Sequence, residues 1–455
     1  MRMVLLVGVL GIWAGSCFGQ VGGGWKAGVA AGKITPEGAV FMSGYASRDR
    51  PSEGVEADLW VKVLVLEDAE GNEGMLVTTD LIGFRADVAV PICDRIMEAT
   101  GLERAQILLN SSHTHTGPAV SAQSVIAGNM TAADADGVVA YTKWFSDRVV
   151  ETAVSAYEAE RVAVDLGYGV GVAPFVMNRR EQTDSGIKLG VNPRGPADRS
   201  VPVLSVAKAG SDDLLAVVFQ CAAHNTTLGG KFYRITGDYA GYAQEFLQEA
   251  LPGVQAMFMT GCAGDANPYP RGTLEDSQAH GETLGAEVLR VLGDEELAAV
   301  GGPLAAALVE VDLPLEPMMS EAECRKFLMG SSKGWRKYVA GEMLAMHEAG
   351  EAVPAVYRAP IAFWEFGEDL TLVGLPGEVV VDYAHFVERA LGREHRVWVA
   401  AYCNDLFGYL PSARVLREGG YETRGIYTGV GIFAPEVESV VMGAIGRYGE
   451  ARINN

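Results

Sequence analysis

Five short runs rich in apolar residues constrain this chain more than any other feature. They occupy residues 107–109, 214–221, 256–260, 370–375 and 397–401. Each is of strand length, far too short to span a bilayer, and each stops at a polar cluster bearing glycine. Those clusters hold His113 and His115, then His224, then Asp265 and Asn267, then Glu378, then Tyr409. In α/β sheets, ligands bind beyond the carboxyl ends of strands. One site assembled from several strand ends is therefore the economical expectation. The first cluster, Asn110-Ser-Ser-His113-Thr-His115-Thr-Gly117-Pro118, is the most informative. In extended backbone, residues i and i+2 point the same way. Both rings can thus face one ion or one substrate. The chain has only seven histidines, and two of them sit here.

The stretches between these runs set the fold class. Residues 59–67 alternate as a strand, 68–74 read as a turn, and 75–79 form an apolar strand ending at Asp80. An amphipathic segment at 91–100 follows, with Gly101 as its stop, before the histidine strand. Strand, helix, strand is a βαβ unit, which implies parallel pairing. A helix is expected over 138–161, another from Gly237-Asp238-Tyr239, and a charged helical stretch over 321–350. Pro376-Gly377-Glu378 reads as the opening of a helix reaching Leu391. Residues 174–199 look polar and irregular, with Asn178-Arg179-Arg180 inside them. The expected architecture is α/β: a mixed, largely parallel sheet core flanked by helices, with a metal site at the strand C-terminal ends.

Charge and termini narrow the partners. The formal net charge of −22 excludes nucleic acid, whose phosphates need basic neutralisation, and electrostatic docking on anionic membranes. Residues 1–19 carry one positive charge, an apolar run and small residues, and read as a secretory signal peptide. A lipoprotein signal ending at Cys17 is the second choice. The expected product is secreted or periplasmic, without a transmembrane segment. Beyond the leader, Cys93, Cys221, Cys262, Cys324 and Cys403 form an odd, scattered set that is no disulfide scaffold; Cys221, Cys262 and Cys403 read as buried packing residues, with one disulfide among them as the alternative.

Two or three histidines with a carboxylate suit zinc, which accepts imidazole nitrogen and carboxylate oxygen. A catalytic zinc keeps one position for water and supplies a nucleophile near neutral pH. The remaining histidines weigh less. His385 is expected to pack, and His280, His347 and His395 to lie in charged, exposed stretches.

Read together, the clusters resemble the catalytic domain of the neutral (non-lysosomal) ceramidases, zinc amidases that split ceramide into sphingosine and fatty acid. Residues 110–118 are similar to that family's His-Thr-His-Ser-Gly-Pro motif. Ala223-His224-Asn225 and Gly237-Asp238-Tyr239 resemble its second histidine and following helix. Gly264-Asp265-Ala266-Asn267-Pro268 resembles Gly-Asp-Val-Ser-Pro. Gly377-Glu378, and residues 404–409 followed by Tyr421-Glu422, resemble its glutamate and tyrosine segments. The resemblance implies zinc ligands His113, His224, Glu378 and Tyr409. It implies that His115, Arg179 and Tyr421 line the substrate, with Tyr421 supporting an oxyanion. Two departures stand out. Asn267 replaces the family serine, so a changed substrate is expected. The chain also stops where the family's C-terminal immunoglobulin-like domain would begin, so residues 20–455 are expected to be one catalytic domain. The expected activity is hydrolysis of an amide (N-acyl) bond by zinc-activated water, on a small-molecule or lipid substrate. The alternatives are an ester or sugar-linked substrate, or a binding protein that has lost turnover.

Overall fold

The computed structural model describes residues 24–120, 130–294, 297–317, 319–330, 335–351, 354–392, 395–426 and 431–453. The expected signal peptide, residues 1–19, lies outside them. Nine strands form a large sheet: Trp25–Lys33 (β1), Trp60–Glu67 (β2), Glu73–Thr79 (β3), Ile107–Ser111 (β4), Val162–Val172 (β5), Ser200–Lys208 (β6), Leu214–Cys221 (β7), Gln255–Thr260 (β8) and Ala298–Val300 (β9). Their order is β8-β7-β6-β5-β1-β2-β3-β4, with β9 paired to β5. A second sheet runs Leu304–Pro314 (β10), Val356–Phe366 (β11), Leu370–Gly374 (β12) and Arg396–Ala400 (β13), in that order.

The mixed α/β sheet flanked by helices is as expected, but its parallel share is smaller. Within the large sheet six pairings are antiparallel and only β3/β4 and β7/β8 are parallel. The reason lies in the connections. A parallel step needs a crossover, and here only two helices cross within the sheet: Ala86–Thr100 (α1), between β3 and β4, and Asp238–Ala250 (α3), between β7 and β8. Short turns, such as the one joining β6 to β7, give antiparallel neighbours.

Side-chain alternation along the strands builds four layers. Inward residues of the large sheet, among them Leu64, Leu108, Leu166, Val218 and Met257, pack against Trp364, Leu372 and Trp398 of the second sheet. The opposite face of β2–β4 buries Val61, Val63 and Leu109 under α1 and Ala132–Glu158 (α2), which contribute Ile92, Phe145 and Val149. The opposite face of β6–β8 lies under α3 and Leu274–Leu292 (α4), which contribute Leu247, Leu284 and Val288. Two helices, Asp382–Leu391 and Val437–Ile453, close the far side of the second sheet with Tyr383, Val387, Val441 and Ile445 over Phe363, Val373 and Val399. No described helix is long and apolar enough to cross a membrane.

An asparagine stitches the sheets together. Asn110 Nδ2 donates to the Ala401 carbonyl at 2.7 Å, and its Oδ1 accepts from Thr260 N at 3.0 Å. Asn404 returns the favour, its Oδ1 accepting from Leu109 N at 3.1 Å. These amides bring the ends of β4, β8 and β13 to one place.

Several elements depart from the sequence reading. Helix α1 starts one turn before Pro91, because the remote carboxylate of Asp405 accepts from Ala86 N at 3.0 Å. Helix α2 starts at Ala132, set by a Thr131–Asp134 capping box, and ends at Glu158. Residues 174–199 contain a short ladder between Val176–Asn178 and Ala266–Pro268, and a hairpin of Arg180–Thr183 with Gly186–Leu189. Glu378 does not open a helix: Glu378–Val379 pairs in parallel with Tyr409–Leu410, and the helix begins at Asp382. Gly377 at φ +80° makes the turn that allows this pairing. His280 is buried, not exposed, and stacks on Phe175. His385 is half-exposed beside Glu388. All five described cysteines are buried and free.

Candidate metal centre

The segments after β4 and β7 run side by side. His115 N donates to the Asn225 carbonyl at 3.1 Å, and Thr114 bridges Asn225. This brings His113, His115 and His224 together, with one ring nitrogen of each within 4.8 Å of the others. The parallel Glu378–Tyr409 pairing delivers a carboxylate and a phenol to the same point.

Second partners fix how the rings present themselves. His113 Nδ1 lies 2.7 Å from the Ile82 carbonyl, and His224 Nδ1 lies 2.7 Å from the Ala263 carbonyl. A carbonyl only accepts, so each Nδ1 carries a proton, and in the neutral ring Nε2 keeps its lone pair. Those Nε2 atoms then face a carboxylate, a third imidazole and a phenol. Glu378 Oε2 is 2.9 Å from His224 Nε2 and 3.5 Å from His113 Nε2. His115 Nε2 is 3.1 Å from His113 Nε2, and Tyr409 Oη is 3.3 Å from His224 Nε2.

The electrostatics agree with this assignment. Burial pushes His224 down to about 3, and Arg179 adds to the effect, so the ring is neutral. Burial, then His113 and His224, hold His115 well below its usual value. Burial pushes Glu378 up, but the adjacent His113 and His224 outweigh it and hold the carboxyl well below its usual range. The Nε2 lone pair of His224 and the Glu378 carboxylate thus converge with no proton between them. A cation resolves that conflict, and two imidazoles, one carboxylate and one phenol form a donor set that zinc accepts. The residues present fit the metal that the sequence implied.

A cleft of about 340 Å³ opens beside this cluster, lined by Tyr45, His115, Asn267, Arg271, Tyr409 and Tyr421 among others. His115 bridges the two regions. Its ring meets Tyr45 edge-on at 5.0 Å, its Nδ1 has no partner, and a Cβ on Gly44 would collide with it. Tyr421 lies edge-on against Tyr409, at 5.5 Å between ring centres.

Arg179 also borders the cleft, yet its guanidinium is largely committed. Nε donates to Glu422 Oε1 at 2.9 Å and Nη2 to Tyr409 Oη at 2.7 Å. It orients the phenol from behind. Glu422, named in the sequence only as the neighbour of Tyr421, is fully buried and also takes Arg180 at 2.6 Å. Two adjacent arginines needing a buried counter-charge were the signal that pointed to such a carboxylate. Asp265 stands outside the cluster: its Oδ1 accepts from Val381 N at 2.8 Å and holds the Glu378 segment in place. Asn267 lies between Thr226, Arg179 and Arg271. Turning its amide oxygen toward Arg271 Nη1, 2.9 Å away, satisfies both ends of the group.

No protein-family model matches the chain. Among curated proteins, neutral ceramidase A of Dictyostelium discoideum is 25% identical over 262 residues, covering 52% of this chain and 35% of that protein. Neutral ceramidase B of the same organism is 23% identical over 254 residues, covering 51% and 34%. The matches thus span about a third of the length of these relatives. Two solved structures share the fold. A ceramidase complexed with C2 gives a TM-score of 0.73 at 18% identity, covering 95% of this chain and 75% of that one. The neutral ceramidase from Pseudomonas aeruginosa gives 0.72 at 19% identity, covering 94% and 75%. The expected resemblance is borne out: by sequence and by fold, the relatives of this chain are neutral ceramidases.

Proposed function

We propose that this relative of the neutral ceramidases is a zinc-dependent hydrolase of an amide (N-acyl) bond. The observation that carries the reading is the convergence of His113 Nε2, His224 Nε2, Glu378 Oε2 and the Tyr409 phenol, with both Nδ1 protons held by backbone carbonyls. When bound, zinc supplies Lewis acidity and an acidified water as nucleophile. The chain's own residues do the rest. Glu378 offsets positive charge in a buried setting, and Arg179 fixes the Tyr409 hydroxyl. His115 lines the cleft beside the cluster, with its buried Nδ1 unpartnered, and is assigned to contact the substrate. Tyr421 presents a hydroxyl toward charge developing on the carbonyl oxygen. Asn267, in place of a serine, supports a substrate other than ceramide. The apolar leader at residues 1–19 supports export from the cytoplasm.

The test is Glu378→Ala. It removes zinc and N-acyl hydrolysis together, while the circular dichroism spectrum and cooperative unfolding persist. Metal content is measured after purification. A variant that keeps stoichiometric zinc would sink the assignment of Glu378 as a ligand. Wild-type protein that binds no zinc would sink the whole reading.

A further inference from the structure

We infer that Arg271, held by Asn267, recognises a carboxylate on the substrate, so that the preferred substrate is an N-acyl amino acid. This rests on the N-acyl hydrolase reading above and names the substrate class of that same cleft.

Other arginines of the chain are committed to carboxylates. Arg179 and Arg180 share Glu422, and Arg414 holds Asp382. Arg271 makes no ion pair among the described residues. Its side-chain contacts are the Tyr45 hydroxyl at 3.3 Å and the Asn267 amide oxygen at 2.9 Å, both neutral. In a chain with 58 acidic and 36 basic residues, a cleft-lining guanidinium without a carboxylate is a vacancy for one.

The loop beneath it is anchored on three sides. Tyr269 N donates to the Phe175 carbonyl at 2.9 Å and Gly272 N to the Thr227 carbonyl at 2.9 Å. The Pro270 carbonyl accepts from the buried His280 Nε2 at 2.6 Å. Arg271 therefore sits on fixed backbone, with a side-chain amide steering its fork. A planar guanidinium matches a carboxylate with two parallel hydrogen bonds. The protein's overall negative charge does not forbid this. Exposed charges beyond about 8 Å are screened at physiological salt, so the local cation dominates.

Arg271, Asn267, Arg179 and Tyr409 line one cleft, and Arg179 leads through the Tyr409 hydroxyl to His224. An amide at the metal centre can thus place its carboxylate toward Arg271. Half-exposed Leu189, Val191 and Tyr269 on the rim remain for an apolar acyl chain. The reaction is hydrolysis: the C–N bond breaks, the acyl carbon takes the hydroxyl of water, and the amino acid nitrogen takes the proton.

The experiment compares N-lauroylglycine with the neutral N-lauroylethanolamine, in zinc-loaded wild type, Arg271→Gln and Arg271→Lys. Equilibrium binding is measured by calorimetry and hydrolysis by amine release. Wild type is expected to favour the carboxylate by about tenfold to a hundredfold in affinity. Arg271→Gln collapses that ratio toward one, and Arg271→Lys restores part of it. A wild-type ratio near one, or one unchanged in Arg271→Gln, overturns the inference. Hydrolysis speaks separately to the function: a carboxylate preference in binding with neither amide cleaved would leave Arg271 as an anion site and remove the hydrolase reading.

Discussion

His113 sits at φ +59°, a region few non-glycine residues enter. Tyr402 at +56° and Asn404 at +63° share it, and the Tyr402 ring lies 4.5 Å from His113. Such residues cost about 1–3 kcal/mol each and persist only where their surroundings hold them, most often at functional sites. Here hydrogen bonds through Ile82, Leu109 and Asn110 do the holding. At Asn267 the consequence is chemical rather than conformational. A serine is too short to reach Arg271, so Asn267→Ser releases the guanidinium and leaves a hydroxyl. Ceramide hydrolysis is expected to be poor in wild type and to rise about tenfold in the serine variant. Both proteins are assayed with zinc present. Efficient wild-type cleavage that falls in the variant would contradict this.

Helix α1 shows how a distant side chain sets an element's boundary. Its N-cap, Arg85, supplies no side-chain cap; Asp405 caps it from the second sheet's connection and also accepts from the Tyr357 hydroxyl at 2.7 Å. Burial pushes the Asp405 carboxyl up to about 6, against about 3.9 in an unfolded chain. The folded state therefore holds a proton that the unfolded state releases. This contribution to stability is fully present below pH 4 and is lost as pH rises from about 4 to about 6. Relative to Asp405→Asn, wild type should lose on the order of 2 kcal/mol across that window, read by urea unfolding at four pH values. A constant difference would refute the linkage. No local pattern around Pro91 announces this cap, which is why the sequence places the helix start a turn late. The same applies to Glu378. Pro376-Gly377-Glu378 has the local signature of a helix start, but hydrogen bonding with the Gly408–Leu410 segment overrides it. The apolar strands were legible because each is short, buried and closed by turn residues. Strand β7 matches residue for residue.

At the scale of the molecule, four of the five clusters read from the sequence supply the candidate metal donors, and they meet because two sheets dock face to face. Their meeting was legible from the strand-end rule, but the docking was not. Antiparallel partners with separate connections leave no periodic trace, so the parallel share was overestimated. On the proposed ligand set, His113 and His224 follow strands of the large sheet while Glu378 and Tyr409 follow strands of the second, so a bound metal would clamp one sheet to the other. Saturating zinc at a hundredfold over its dissociation constant adds about 2.7 kcal/mol. Chelation is thus expected to lower the calorimetric transition by a few degrees. Stripping the metal with no shift would show that the ligands do not bridge the sheets.

That division of ligands between the sheets also has a direction in time. A ribosome delivers the chain N-terminus first, so His113 and His224 emerge long before Glu378 and Tyr409. Asn110 likewise waits for Ala401 before its amide is satisfied. The half-made protein carries two imidazoles and neither the carboxylate nor the phenol. On the proposed ligand set, metal acquisition would therefore be an event of completion: the full donor set would exist only once the second sheet has closed.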